Sequence, residues 1–154
     1  MLGRGGYGAT VGYAPDAKTM AAVDALLETA AAKSLLPSDL RLRWAVKPTV
    51  RQDANGQEQN FGTALYALRA NGGKPALDGK AVSDASSNPD PLRGVEVSMR
   101  MNAEGARNWA RVTGQNVGKQ VAIVLDDKVY SAPNVNDKIE GGQSSITGCL
   151  LYTS

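Results

Sequence analysis

The sequence predicts an α+β single domain, a mainly antiparallel sheet with two or three helices. Three observations predict it. Two stretches of helical period are interspersed with at least five of strand period, a two-residue turn at Asp126-Asp127 joins an apolar run to a further strand, and no internal repeat organises the 154 residues. That length suits one domain with a modest core, because 22 of the hydrophobic residues are alanine. A formal net charge of only +2 argues against disorder.

Residues 1–13 carry five glycines within the first twelve positions, more backbone freedom than an element tolerates, and read as a flexible lead-in. From Asp16 the period is helical. Asp16 or Thr19 caps, and Met20, Val23, Leu27 and Ala30 or Ala31 recur at i, i+3, i+4 spacing; a break is expected near Thr29, and Pro37 stops the run. Leu40, Leu42, Trp44 and Val46 then alternate with Arg41, Arg43, Ala45 and Lys47 in a strand that Pro48 should end. A polar turn around Asp53-Ala54-Asn55-Gly56 leads to a second strand over 63–70, antiparallel to the first. The segments 71–75 and 86–94 read as loops, with a short strand at 81–84 between them.

Val95, Val97, Met99 and Met101 alternate with polar residues and run into Asn102, an N-cap for a helix whose inner face is Ala106, Trp109, Ala110 and Thr113. Gly114 or Gly118 would end it. The continuous apolar run Val121–Leu125 reads as a central strand, turned by Asp126-Asp127 into a strand over 128–132, and Ile146 closes a last edge strand.

Chemistry has little foothold in this sequence. The absence of histidine excludes histidine triads, general bases and metal ligands, and the single cysteine, Cys149, forms neither an internal disulfide nor a thiolate cluster. Gly3 to Gly8 matches G-x-G-x-x-G, but it follows no strand and opens no helix, so the dinucleotide reading fails its context. Asp126 and Asp127 are turn residues rather than a carboxylate pair, since neighbours on a strand point to opposite faces. Met99 and Met101 read as core rather than a soft metal site, and Trp109 as a packing anchor rather than a ligand platform. No catalytic, cofactor or metal residue is nominated, and an enzyme is not expected. No run reaches the roughly 20 apolar residues of a membrane span, and the N-terminus has no apolar signal core.

The ordered series Asp78-Gly79-Lys80, VEVSMRMNAEG (95–105), Trp109-Ala110, NVGK (116–119), VAIVLD (121–126), VYSAP (129–133) and Ile146-Thr147-Gly148 resembles the first large periplasmic region of SecD, the membrane subunit of the accessory bacterial protein-export complex. The N-terminal half, through Leu35-Leu36-Pro37, Asp39-Leu40 and Trp44 to Pro48, is similar to the fused SecDF chains of the Bacteroidetes type. The resemblance spans 14–148 and implies a head domain on the periplasmic side of the inner membrane, soluble in itself and part of a multi-pass protein. It further implies a role in proton-motive-force-driven export, with unfolded preprotein, the SecF part and the SecYEG translocon as partners and no cofactor. The family's proton-coupling residues lie in membrane helices, so none is carried over. After residue 148 the family continues into a helix rich in Glu and Ala; CLLYTS (149–154) departs from that and reads as a vector-derived or truncated tail.

An unfolded polypeptide has no fixed shape, so capturing it calls for exposed apolar side chains or an unpaired strand edge. Val129, Tyr130, Pro133, Val135 and Ile139 are the nominated contacts, against the alternative that they cover the domain's own core. A competing function is a structural spacer touching other translocon parts. Another is a nucleic-acid module using the stripe Arg41, Arg43, Lys47 and Arg51. The low net charge and the scarcity of interleaved aromatics argue against nucleic acid and favour the solvated face of an edge strand.

Overall fold

A computed structural model describes residues 10–70, 72, 74–90 and 94–146. In chain order the elements are β1 (Thr10–Ala14), α1 (Ala17–Leu27), α2 (Ala30–Leu35), β2 (Leu40–Gln52), β3 (Glu58–Arg69), a 3₁₀ turn (Gly79–Ala81), β4 (Val82–Asp90), β5 (Gly94–Met101), α3 (Ala103–Gln115), β6 (Ile123–Leu125), β7 (Lys128–Ser131) and β8 (Gln143–Ile146). This is the α+β class with mostly antiparallel sheets. The chain divides into two compact units, one of residues 1–74 with 124–130, the other of 75–123 with 131–154.

The first unit holds a five-stranded sheet in the order β1-β3-β2-β7-β6. Its backbone is the long β2–β3 hairpin, closed by Asp53, whose carboxylate accepts the amides of Asn55 and Gln57 at 2.8 and 2.9 Å. Helix α1 starts where Asp16 accepts the Thr19 amide at 2.7 Å, and the break falls at Thr29, which caps α2. Met20 and Val23 of α1 lie with Leu42 against a core of Ala14, Trp44 and Leu65. The indole Nε1 of Trp44 donates to Asp24 at 2.8 Å, which pins the helix to the sheet through the largest core side chain.

The second unit has a three-stranded sheet, β4-β5-β8, with α3 beside β5. Asn102 caps α3 by accepting the Gly105 amide at 2.8 Å, and its amide group also donates to the Lys80 carbonyl. Met101, Trp109, Val112, Thr113 and Val135 are buried. Packing here is too close for extra carbon. A Cβ on Gly105 would lie 2.8 Å from Ala81, and one on Gly142, whose φ is +70°, 2.8 Å from the Ala106 Cβ.

Several elements depart from the sequence expectation. The lead-in ends earlier than Tyr13, because Thr10–Ala14 is a strand paired with β3; residues 1–9, with the glycine motif, lie outside the described residues, as does the tail over 149–154. Pro48 does not end β2: the register shifts between Trp44 and Pro48, and a bulge accommodates a residue without an N–H. Residues 86–90 and 94, expected as loop, are extended, since the β4–β5 ladder runs out to Asp90 opposite Gly94, while 91–93 lie outside the described residues; β4 is an edge strand, where Pro89 need not donate outward. Ala81 belongs to the 3₁₀ turn rather than to a strand. Gly114 stays inside α3, which Asn116 caps, with Gly118 at φ +76° beyond it. The apolar run 121–125 is not a central strand: only Ile123–Leu125 is extended, at the outer edge of its sheet.

Candidate functional site

Among the described residues no group of three or more His, Cys, Asp or Glu is placed to hold a metal, and no helix is long and apolar enough to cross a membrane. A shallow cleft on the second unit is lined by Ser98, Met99, Arg100, Gln143, Ser144 and Ser145, which bring hydroxyls and one cation but no nucleophile with its base.

Exposed apolar side chains occur on α1 and α2, where Leu26 and Leu35 are 64% and 83% exposed, and also around the β6–β7 hairpin. Asp126 and Asp127 both have positive φ, +48° and +61°, the signature of a two-residue type I′ turn. The Asp127 carboxylate meets the Arg43 guanidinium at 3.3 Å and ties the hairpin tip to β2. Strand β7 runs parallel to β2, with Ala45 opposite Val129. Val46, Tyr130, Val124 and Leu125 are all exposed, Leu125 by 56%. Val124 and Leu125 are adjacent on β6 and so stand on opposite faces of the sheet, which leaves apolar side chains exposed on both faces of this edge.

The five nominated contact residues are divided between the two units. Val129 and Tyr130 belong to the first unit, and Pro133, Val135 and Ile139 to the second. Val129 is 2% exposed and Val135 6%, so both are interior side chains and not surface contacts. Val135 is fixed further by backbone bonds, its N–H to Lys119 and its carbonyl from Gly118. Pro133 and Ile139 are half-buried, and the Ile139 amide donates to the Thr113 hydroxyl at 2.9 Å. Tyr130 alone stands open to solvent. Sequence reading missed Val124 and Leu125, because an unbroken apolar run reads as interior; a three-residue strand so close to a polar turn was the available signal.

The three arginines of the basic stripe have partners within the chain. Arg41 donates to the Ser38 and Leu40 carbonyls, Arg43 to the Leu42 carbonyl and Asp127, and Arg51 lies 5.7 Å from the Phe61 ring centre. Nor is β2 an edge strand, since β3 and β7 flank it.

Residues 48–151 match the family described as SecDF, P1 head subdomain. The chain belongs to the SecD/SecDF family. It is 45% identical over 128 residues to the protein translocase subunit SecD of Rhodothermus marinus, covering 83% of this chain and 20% of that protein. To the protein translocase subunit SecDF of Thermus thermophilus it is 43% identical over 76 residues, 49% of this chain and 10% of that one. Among solved structures it is similar to a membrane component SecDF that enhances protein export, at 25% identity over 88% of this chain and 63% of that one, with a TM-score of 0.44. The chain thus spans a fifth or less of the two SecD and SecDF sequences.

Proposed function

We propose that this SecD/SecDF segment serves protein export by holding emerging, unfolded polypeptide on the periplasmic side of the membrane, as part of a larger membrane protein driven by the proton-motive force. The SecF part, the SecYEG translocon and the preprotein are its partners in that reading. The observation that carries it is the match of residues 48–151 to the P1 head subdomain. The exposed apolar side chains of Val124, Leu125 and Tyr130 on the β6–β7 hairpin support it, because adaptable apolar contact suits a ligand without fixed shape. The test is a titration of the chain with a reduced, carboxymethylated secretory protein, followed by amide shifts. Localised shifts around β6 and β7 are expected, and their absence at millimolar ligand removes direct capture.

A structural spacer is the second reading, favoured by the burial of Val129 and Val135. It predicts that Tyr130→Asp leaves export by the full-length parent intact, whereas Trp109→Ala, which empties a buried site, abolishes it. Capture predicts that Tyr130→Asp slows export while the fold persists.

A further inference from the structure

Two sheets leave four outer strands among the described residues, β1 and β6 in the first unit and β4 and β8 in the second. Three of them are blunted against pairing. β1 has a register shift between Thr10 and Gly12; β4 has one between Val82 and Asp84 and carries Pro89; β8 is polar, Gln143-Ser144-Ser145 before Ile146. β6 is Ile123-Val124-Leu125, with no charge, proline or glycine, and Val124 and Leu125 are 40% and 56% exposed. An apolar edge of this kind is what folded proteins otherwise avoid.

Turn geometry fixes which backbone groups face outward. A two-residue type I′ turn sets Leu125 opposite Lys128 as the pair that exchanges both hydrogen bonds, which leaves the N–H and carbonyl of Val124 directed away from β7. Another extended backbone is the partner that satisfies such a donor and acceptor together while lying flat along the strand. Adjacent side chains alternate, so Val124 and Leu125 offer apolar contact on both faces of an incoming strand. The hairpin tip meets β2 through the Arg43–Asp127 pair, and Val124 and Leu125 on the outer strand stay exposed.

We propose that the outer edge of β6, centred on Val124, receives an extended segment of exported polypeptide by strand addition. This rests on the export function proposed above and names the mode of contact. Backbone pairing reads no particular side chain, which suits an occupant of any sequence in an unfolded state.

The test uses the 154-residue chain and a soluble dodecapeptide of alternating valine and threonine with lysine at each end. At saturation, exchange of the Val124 amide slows by about tenfold or more, with no comparable change in β1 or β4. Val124→Pro, which deletes the outward donor, weakens binding by about fivefold, and Val124→Thr, which keeps it, by less than about twofold. Leu125→Lys, a charge on the edge with the backbone retained, also weakens binding and covers the case in which the proline variant fails to fold. Unchanged affinity in both Val124→Pro and Leu125→Lys, or protection centred elsewhere, overturns the proposal. If the reduced, carboxymethylated protein binds at Tyr130 and Val46 but spares Val124, strand addition fails and capture stands; no binding at all overturns both. In the full-length parent, a photocrosslinker at position 125 should reach an exported polypeptide, and crosslinks confined to another segment of the parent or to a second copy overturn the assignment.

Discussion

The Trp44 indole reaches across from sheet to helix and ends on Asp24, twenty residues earlier in the chain. Asp24→Ala leaves a largely buried donor unpaired and should lower stability by about 1–2 kcal/mol, while Asp24→Asn keeps an acceptor and recovers most of the loss. Urea unfolding followed by tryptophan fluorescence measures both. Asn102→Ala removes the α3 cap and the bond to the Lys80 carbonyl, at a cost of about 1–2 kcal/mol in the same assay. At Asp16 the Thr19 amide holds the carboxyl below its ordinary value of 3.8. The cap is therefore at full strength above that value and is lost as the pH falls through the lower folded value, so acid should fray the start of α1 first. The Thr19 amide resonance followed from pH 5 to pH 2 reports it. These caps were legible in the sequence because a cap joins residues three apart. The Asp24–Trp44 bond was not, since only the folded helix brings that pair together.

Edges and bulges decide the elements. Gly62 has φ +86°, and a Cβ there would stand 2.2 Å from the Ala14 carbonyl oxygen. Gly62→Ala combines backbone strain with a collision against β1, and a loss of more than about 2 kcal/mol is expected in thermal or urea unfolding. Asp127→Gly acts in the opposite sense: it relieves a positive φ and gives up an ion pair whose carboxylate is 86% exposed and weakly stabilising. A gain of a few tenths of a kcal/mol is the expected balance. The same features explain what local pattern could and could not tell. Alternation placed β2 and β5, and the capping signals placed α1 and α3. Pro48, Pro89 and the run 121–125 were misread because proline tolerance and edge position depend on which strand lies alongside, a property of the assembled sheet.

At the scale of the whole molecule, some arginines that look free in the sequence have partners: Arg41 and Arg43 bond to carbonyls, which leaves their charge in place, and Arg43 and Arg69 meet carboxylates. The formal net charge of +2 is small for holding a polyanion. Binding to single-stranded nucleic acid at low salt is expected to be undetectable by fluorescence anisotropy; a salt-dependent affinity would revive that reading. The general class of fold was legible, because helical and strand periods survive in any context. The exposure of Val124 and Leu125 was not, as it depends on β6 lying outermost in its sheet beside β7.

That parallel pairing also sets a timetable. Ala45 meets Val129, so the first unit is built from two pieces of chain with most of the second unit's sequence lying between them. During synthesis the β2–β3 hairpin is complete by residue 69, yet its sheet gains β7 only when residue 131 has emerged. Until then the flank of β2 is itself an open edge, and closing so long a loop is slow relative to closing the local hairpins. A nascent chain of this family therefore has an interval in which its own unfinished sheet is exposed to the kind of pairing that the mature β6 edge offers.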